Sequence, residues 1–279
     1  MKLKAALFML GIMLILPGMA TAQTDAPAER VVKISSTIGP VDAGIVPLLA
    51  ETFTEKTGVK VTYEKAGTGK TLEKAKTGDF DIVIVHARAL EDQFIADGYG
   101  IDRRDVMYND FVILGPADDP AGIKGMTKVT EAFQKLADAK VKMVSRGDNS
   151  GTHVKEMEIW QAAGIEPKGD WYENWPDGDK GNGPTTKYAN EQQAYVLMDR
   201  ATYLTLKNDI NLAVLVEGDP LMLNYIALIR INPDKFPQVN KDDALALADF
   251  LVSGEAQEII RTFKVDIYGE PLFFPNAQK

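Results

Sequence analysis

Four consecutive branched aliphatic residues, Ile82-Val83-Ile84-Val85, stand between the polar Asp79-Phe80-Asp81 and His86. A run this short and this uniformly apolar is stable only when both of its faces are covered, as in a parallel strand held between two layers of helix. The flanking pattern fits. Residues 31–35 read as a strand and residues 36–44 as a polar, glycine-containing turn. Ile45, Leu48, Leu49, Ala50 and Phe53 then recur at helical spacing up to Gly58. Residues 59–63 form a second strand. Gly67-Thr68-Gly69 opens a short helix over 70–76, residues 79–86 are the third strand, and 88–96 the next helix. Strand and helix alternate as βαβαβα, which predicts an α/β protein built on a doubly wound parallel sheet.

A further strand over 111–114 ends at Gly115-Pro116, and a second unit begins there. Residues 127–139 are helical, with Val129, Phe133 and Leu136 on one side. Residues 141–145 are a strand, and 146–152 a turn opening a helix that runs through Trp160. The Gly- and Trp-rich stretch 164–184 matches no element. Residues 191–198 read as helix running into strand, 211–216 as strand and 221–231 as extended. Two helices, 242–252 and 254–263, come last, before a strand-poor tail. Late helices of this kind cover the first unit, which predicts a split first lobe (27–110 and 220–279) with a second lobe (111–219) inserted. No internal repeat is present.

Lys2 and Lys4 precede an apolar run over 5–19 that contains Pro17 and Gly18 and closes on Ala20-Thr21-Ala22. This predicts a cleaved signal peptide over 1–22, too short for a permanent span. The sequence has no cysteine, which excludes disulfides, thiolate chemistry, cysteine metal sites and lipid attachment through an N-terminal cysteine. The expected location is the periplasm, without a lipid anchor. Against 31 basic residues stand 40 acidic ones, a net charge of −9, and loss of the leader lysines makes the balance more negative. Such a surface disfavours nucleic acid and anionic membranes. It does not disfavour a small anion, because screened net charge matters less at contact than local N–H groups.

Three turns join a strand to a helix with hydroxyls and glycine: Ser35-Ser36-Thr37 with Asp42-Ala43-Gly44, Gly67-Thr68-Gly69, and Ser145-Arg146-Gly147 with Ser150-Gly151-Thr152. Ligands of α/β sheets bind outside the carboxyl ends of the strands. Free amides at helix starts attract anions, and Ser and Thr hydroxyls add donors. Arg146 adds several directed ones. Each turn alone is also an ordinary capping sequence; their common architectural position makes them a candidate oxyanion site. Gly67-Thr68-Gly69-Lys70 lacks the spacing of a nucleotide phosphate loop.

Other constellations are weaker. His86, His153 and Asp110 could form an acid–base or metal set, as a phosphate-ester hydrolase would need, but no metal or catalytic spacing accompanies them. His86 reads instead as a hydrogen-bonding residue at a strand end and His153 as a helix-start residue. Ser150 is not in a nucleophile elbow, and Arg146-Gly147-Asp148 reads as a turn rather than an adhesion signal. Trp160, Trp171, Trp175 and Tyr172 read as packing of the second lobe rather than a sugar platform. A receptor binding a protein partner through 171–186 is a further alternative. No catalytic residue, metal or cofactor is expected.

Several stretches, in this order and spacing, carry a resemblance over nearly all of the predicted mature chain: Ala66-Gly67-Thr68-Gly69, residues 78–87, residues 107–116, residues 145–153, and residues 195–203 with Asp199-Arg200. The chain resembles the tungstate-binding subunits of ABC importers, within the type II periplasmic binding proteins. The resemblance implies two α/β lobes with a ligand cleft between them, a tetrahedral oxyanion as ligand, and delivery to a membrane permease by a monomeric receptor. Tungstate is the implied ligand; molybdate, phosphate and sulfate are the alternatives. The family's ligand-facing positions fall on Ser35, Ser36 and Thr37, on Gly67, Thr68 and Gly69, and on Arg146 with Ser150, Gly151 and Thr152. Two stretches depart from the family pattern. Ser35-Ser36-Thr37-Ile38-Gly39 and Asp42-Ala43-Gly44 replace Thr-Thr-Thr-Ser-Thr and Asp-Ser-Gly, and Gly181-Asn182-Gly183-Pro184 replaces a Gly-Met-Gly stretch.

Overall fold

The structure, a computed structural model, describes residues 29–277; the predicted signal peptide lies outside them. The chain runs β1 (Val31–Thr37), α1 (Ile38–Ala43), α2 (Ile45–Thr57), β2 (Lys60–Ala66), α3 (Thr68–Ala75), β3 (Ile82–Val85), α4 (Arg88–Ala96) and β4 (Gly100–Gly115). It continues through α5 (Val129–Ala139), β5 (Met143–Ser145), α6 (Gly151–Ala162), β6 (Tyr172–Asn174), α7 (Asn182–Glu191), β7 (Tyr195–Asp199), α8 (Arg200–Leu206) and β8 (Ala213–Val216). It closes with β9 (Leu223–Ile231), α9 (Lys241–Leu251), α10 (Gly254–Thr262), α11 (Val265–Tyr268) and β10 (Phe274–Pro275).

The strands make a ten-stranded sheet in the order β2-β1-β3-β9-β4-β7-β5-β6, with β8 and β10 also paired to β4. It is mixed rather than wholly parallel. β2, β1 and β3 are parallel, as are β7, β5 and β6, but β9 and β4 join these two sets with antiparallel pairings. β4 is the long element. It pairs with β9 from Gly100 to Asp110, then with β7 and β8 from Phe111 onward. One strand thus serves two α/β lobes, the first built around β1–β3 and the second around β5–β7.

The run Ile82–Val85 is buried at every position, as its composition demanded. On one side Ile45, Val46, Leu49 and Phe53 of α2 pack with Ile82, Ile84 and Leu247 of α9 in a shared core, each apolar side chain contributing roughly 1.5–3 kcal/mol. Leu72 of α3 and Phe94 of α4 cover the opposite face of β3 at Val83 and Val85, with Ile229 beside Val83 on the neighbouring β9. The second lobe is centred on Trp160, fully buried against Phe133 at a ring-centroid separation of 4.3 Å. Trp171 and Tyr172 pack around it, and Trp175 stacks on Tyr188; the tryptophans are packing residues.

Two turns contain helices that the sequence reading missed. Ile38–Ala43 is helical despite Gly39 and Pro40, because proline in the first turn forfeits no hydrogen bond. Asn182–Glu191 is helical for the same reason, with Pro184 in its first turn.

Candidate functional site

Parallel strands that end level with one another create the site. Thr37, the last residue of β1, is in register with Ala66, the last of β2. Ser36 is opposite Ile84, so β3 ends at the same edge and releases His86 there. Thr37 leads directly into α1, and Gly67 is the residue before α3. Thr71 ties the two turns together, its hydroxyl donating to the carbonyl oxygens of Ser36 (3.1 Å) and Ala66 (3.3 Å).

The hydroxyls at this edge divide into two kinds. Ser35 Oγ donates to the Thr71 carbonyl (3.3 Å) and Ser36 Oγ to the Thr37 carbonyl (3.2 Å), so both serve the lobe itself. Thr37 Oγ1 and Thr68 Oγ1 are buried with no hydrogen-bond partner. Leaving such a group unpaired costs about 1–3 kcal/mol. Among the described residues Ser145 Oγ alone shares this condition; it lies toward the buried Glu156, away from ordinary hydrogen-bond geometry. Gly67 and Gly69 leave open space around their backbones, with nothing within 4 Å of a Cβ built on either.

In the second lobe Arg146 follows β5 and its guanidinium is nearly buried. Nε donates to the Gly178 carbonyl (3.1 Å), Nη1 to Asn182 Oδ1, and Nη2 to Asp148 Oδ2 at 2.5 Å. A guanidinium has five N–H groups, so one on each Nη remains for another acceptor. Burial pulls the Arg146 pKa below its ordinary value while Asp148 opposes that shift; the group stays charged. Gly178 allows this packing, since a Cβ there would meet the Arg146 carbonyl oxygen at 1.9 Å.

Asn182, at the start of α7, was not identified from sequence. It accepts from Arg146 and from Thr152 Oγ1 (3.1 Å), and its amide donates to Asp199 Oδ2 at 2.5 Å. Asp199 in turn caps α8 by accepting from the Thr202 amide (2.9 Å). The available signal was Pro184 in a first helical turn after Gly181. Ser150 caps α6 by accepting from the His153 amide (3.4 Å), and His153 Nδ1 accepts from the Asn149 amide (3.0 Å). Gly151 and Thr152 follow at the start of α6, where backbone amides lack intrahelical partners.

The lobes touch where His86 meets Gly151. Burial lowers the His86 pKa to about 4, with a smaller opposing influence from Asn224, so the imidazole is neutral. Asp110 lies with neither histidine in an acid–base set; Arg200 holds its carboxylate by two hydrogen bonds of 2.8 and 2.6 Å. Among the described residues no group of three His, Asp or Glu side chains could hold a metal ion.

Residues 21–255 match the PBP superfamily domain. The chain belongs to the type II solute-binding proteins of ABC transporters. Within that family it is 38% identical to the tungstate-binding protein TupA of Peptoclostridium acidaminophilum, over 90% of this chain and 88% of the relative. A solved tungstate-binding protein TupA from Desulfovibrio alaskensis G20 superposes with a TM-score of 0.82 at 39% identity, covering 89% of this chain and all of the other. The tungstate ABC transporter structure from Geobacter sulfurreducens gives 0.74 at 43% identity, covering 84% of this chain and 98% of that one. Members of this family bind small oxyanions and work with ABC importer permeases, so this solute-binding protein is a carrier component rather than a catalyst.

Proposed function

We propose that this solute-binding protein captures tungstate outside the cytoplasm and hands it, as a monomer, to the permease of an ABC importer. The observation that carries the reading is the pair of buried, partnerless hydroxyls Thr37 Oγ1 and Thr68 Oγ1, at the level ends of β1 and β2. Among the described residues only Ser145 Oγ, inside the second lobe, shares this condition, and a pair of unpaired hydroxyls at one sheet edge is best explained as kept for a ligand. A tetrahedral dianion would accept from them on one lobe and from the free N–H groups of Arg146 and the α6 start on the other. Closure is then favoured by contacts that exist only when both lobes meet the anion. Asp148 already balances the Arg146 charge, so directed hydrogen bonds rather than net positive charge would hold the dianion. A donor-rich site disfavours protonated phosphate, and one sized for tungstate leaves the smaller sulfate under-coordinated. Molybdate, nearly equal in size, is the alternative ligand.

Calorimetric titration of the anion-stripped protein tests this, with tungstate as ligand and molybdate, sulfate and phosphate as competitors. Tight tungstate binding that molybdate displaces poorly is the expected result. A signal from another oxyanion alone would reassign the ligand, and silence from all four would sink the oxyanion reading. Thr37→Val and Thr68→Val provide a second test with opposite signs. Each should weaken binding by roughly 10-fold while raising the unfolding free energy of the unliganded protein by about 1 kcal/mol, because each removes a buried unpaired hydroxyl. Chemical denaturation of the stripped variants measures the second effect; a loss of stability would mean that these hydroxyls have structural work to do.

A further inference from the structure

Gly151 opens α6 without a backbone reason for being glycine. Its φ is not among the positive ones, whereas that of nearby Gly147 is 62°. What excludes a side chain is the other lobe. A Cβ on Gly151 would lie 2.3 Å from His86 Cε1, 3.2 Å from Nε2 and 3.3 Å from Nδ1. An imidazole just past the end of β3 in the first lobe therefore rests on the bare Cα of a helix start in the second.

The imidazole is backed by the strands that join the lobes. The Asn224 side chain of β9 lies against His86, and Asn224 Nδ2 donates to Asn109 Oδ1 on β4 at 2.7 Å. Asn109 and Asn224 are register partners, two positions before β4 begins to pair with the second lobe at Phe111. The contact thus has the strands that join the lobes on one side and a helix terminus on the other. Packed surfaces of this kind resist graded deformation.

We propose that His86 seated on Gly151 is a closure stop, setting how near the two lobes approach and hence the size of oxyanion that can be gripped from both sides. This rests on the oxyanion reading above and deepens it. Thr37 and Thr68 lie on the His86 side of the contact and Arg146 on the Gly151 side, so a spacer at the contact sets the distance between the two sets of donors. Removing the spacer lets the lobes close further and favours a smaller anion. Selectivity in this form comes from a steric limit rather than from an added attraction.

The test is a double-mutant cycle read by calorimetry with tungstate and with sulfate, each variant first shown to melt cooperatively without ligand. Gly151→Ala should weaken tungstate binding at least 10-fold, because its methyl meets the imidazole before closure is complete. His86→Ala should narrow the preference for tungstate over sulfate at least 5-fold. The double variant His86→Ala/Gly151→Ala should bind tungstate within about 3-fold of His86→Ala alone, since the methyl then has room. Additive losses in the double variant, or Gly151→Ala binding as well as wild type, would overturn the stop. Wild-type protein that binds none of the four oxyanions would overturn the stop together with the oxyanion reading, and is distinguished by needing no variant.

Discussion

Replacing Arg146 by alanine is expected to weaken tungstate binding at least about 100-fold, the largest loss from any single substitution at the site. Each charge-assisted hydrogen bond from the two free N–H groups is worth about 1.5–3 kcal/mol, and the variant loses both. It also uncovers Asp148, whose side chain is only 13% exposed and ion-paired to Arg146, so a carboxylate then faces the dianion without compensation. Two further variants separate these effects. Arg146→Lys keeps the charge but loses the planar fork, and should recover only part of the affinity. Arg146→Ala/Asp148→Asn removes the uncovered charge and should bind better than Arg146→Ala alone. Calorimetry on proteins whose unliganded melting is measured in parallel provides the comparison. A loss under 3-fold in Arg146→Ala would show that the arginine serves only to brace Gly178 and Asn182.

The second large effect concerns pH and stability. Glu156 on α6 is 1% exposed, and its Oε1 accepts from Tyr172 Oη (2.6 Å) and Trp160 Nε1 (3.3 Å). Burial raises its pKa from an ordinary 4.5 to about 7, against the smaller opposing influence of Tyr172, Ser145 and Trp160. Burial also raises the Tyr172 pKa, so the phenol remains a donor. Below about pH 4.5 the folded and unfolded chains both hold the Glu156 proton. Between that pH and about 7 the unfolded chain releases it while the folded chain keeps it, so stability falls as pH rises through this window and levels off above it. The whole loss is on the order of 3 kcal/mol. Glu156→Gln keeps an acceptor for Tyr172 but cannot ionise. The wild type should therefore lose roughly 5–10 °C more in melting temperature than the variant between pH 5 and pH 8. Parallel pH curves for the two proteins would mean that the Glu156 carboxyl is better solvated or better paired than its burial implies.

Much of the candidate site was legible in the sequence, because the chemistry of strand-to-helix turns is local. Thr37, Thr68 and Arg146 stand out as donors beside glycines. What the turns could not disclose is which hydroxyls are free. Ser35 and Ser36 stand two and one positions before Thr37, yet their hydroxyls are used within the lobe, because the partner carbonyl of Ser35 is on α3 and that of Ser36 belongs to Thr37 as it enters α1. Asn182 stayed hidden because Gly181-Asn182-Gly183-Pro184 reads as loop until α7 packs it beside Arg146.

The sequence by itself determined the class and its layers. Ile82–Val85 requires cover on both faces, the strand–helix alternation supplies it, and the tryptophans of the second lobe serve packing, with Trp160 buried. Only the tertiary structure decided how the lobes are joined. β4 extends from Gly100 to Gly115, but its first half, Ile101-Asp102-Arg103-Arg104-Asp105, is polar and has no strand period. Those side chains are balanced by ions from distant segments: Glu91 pairs with Arg103, Asp249 with Arg104, and Arg230 with Asp102. The meeting of His86 with Gly151 is of the same kind. Sixty-five positions apart in sequence, they become neighbours only through the packing of one lobe against the other, which no local pattern encodes.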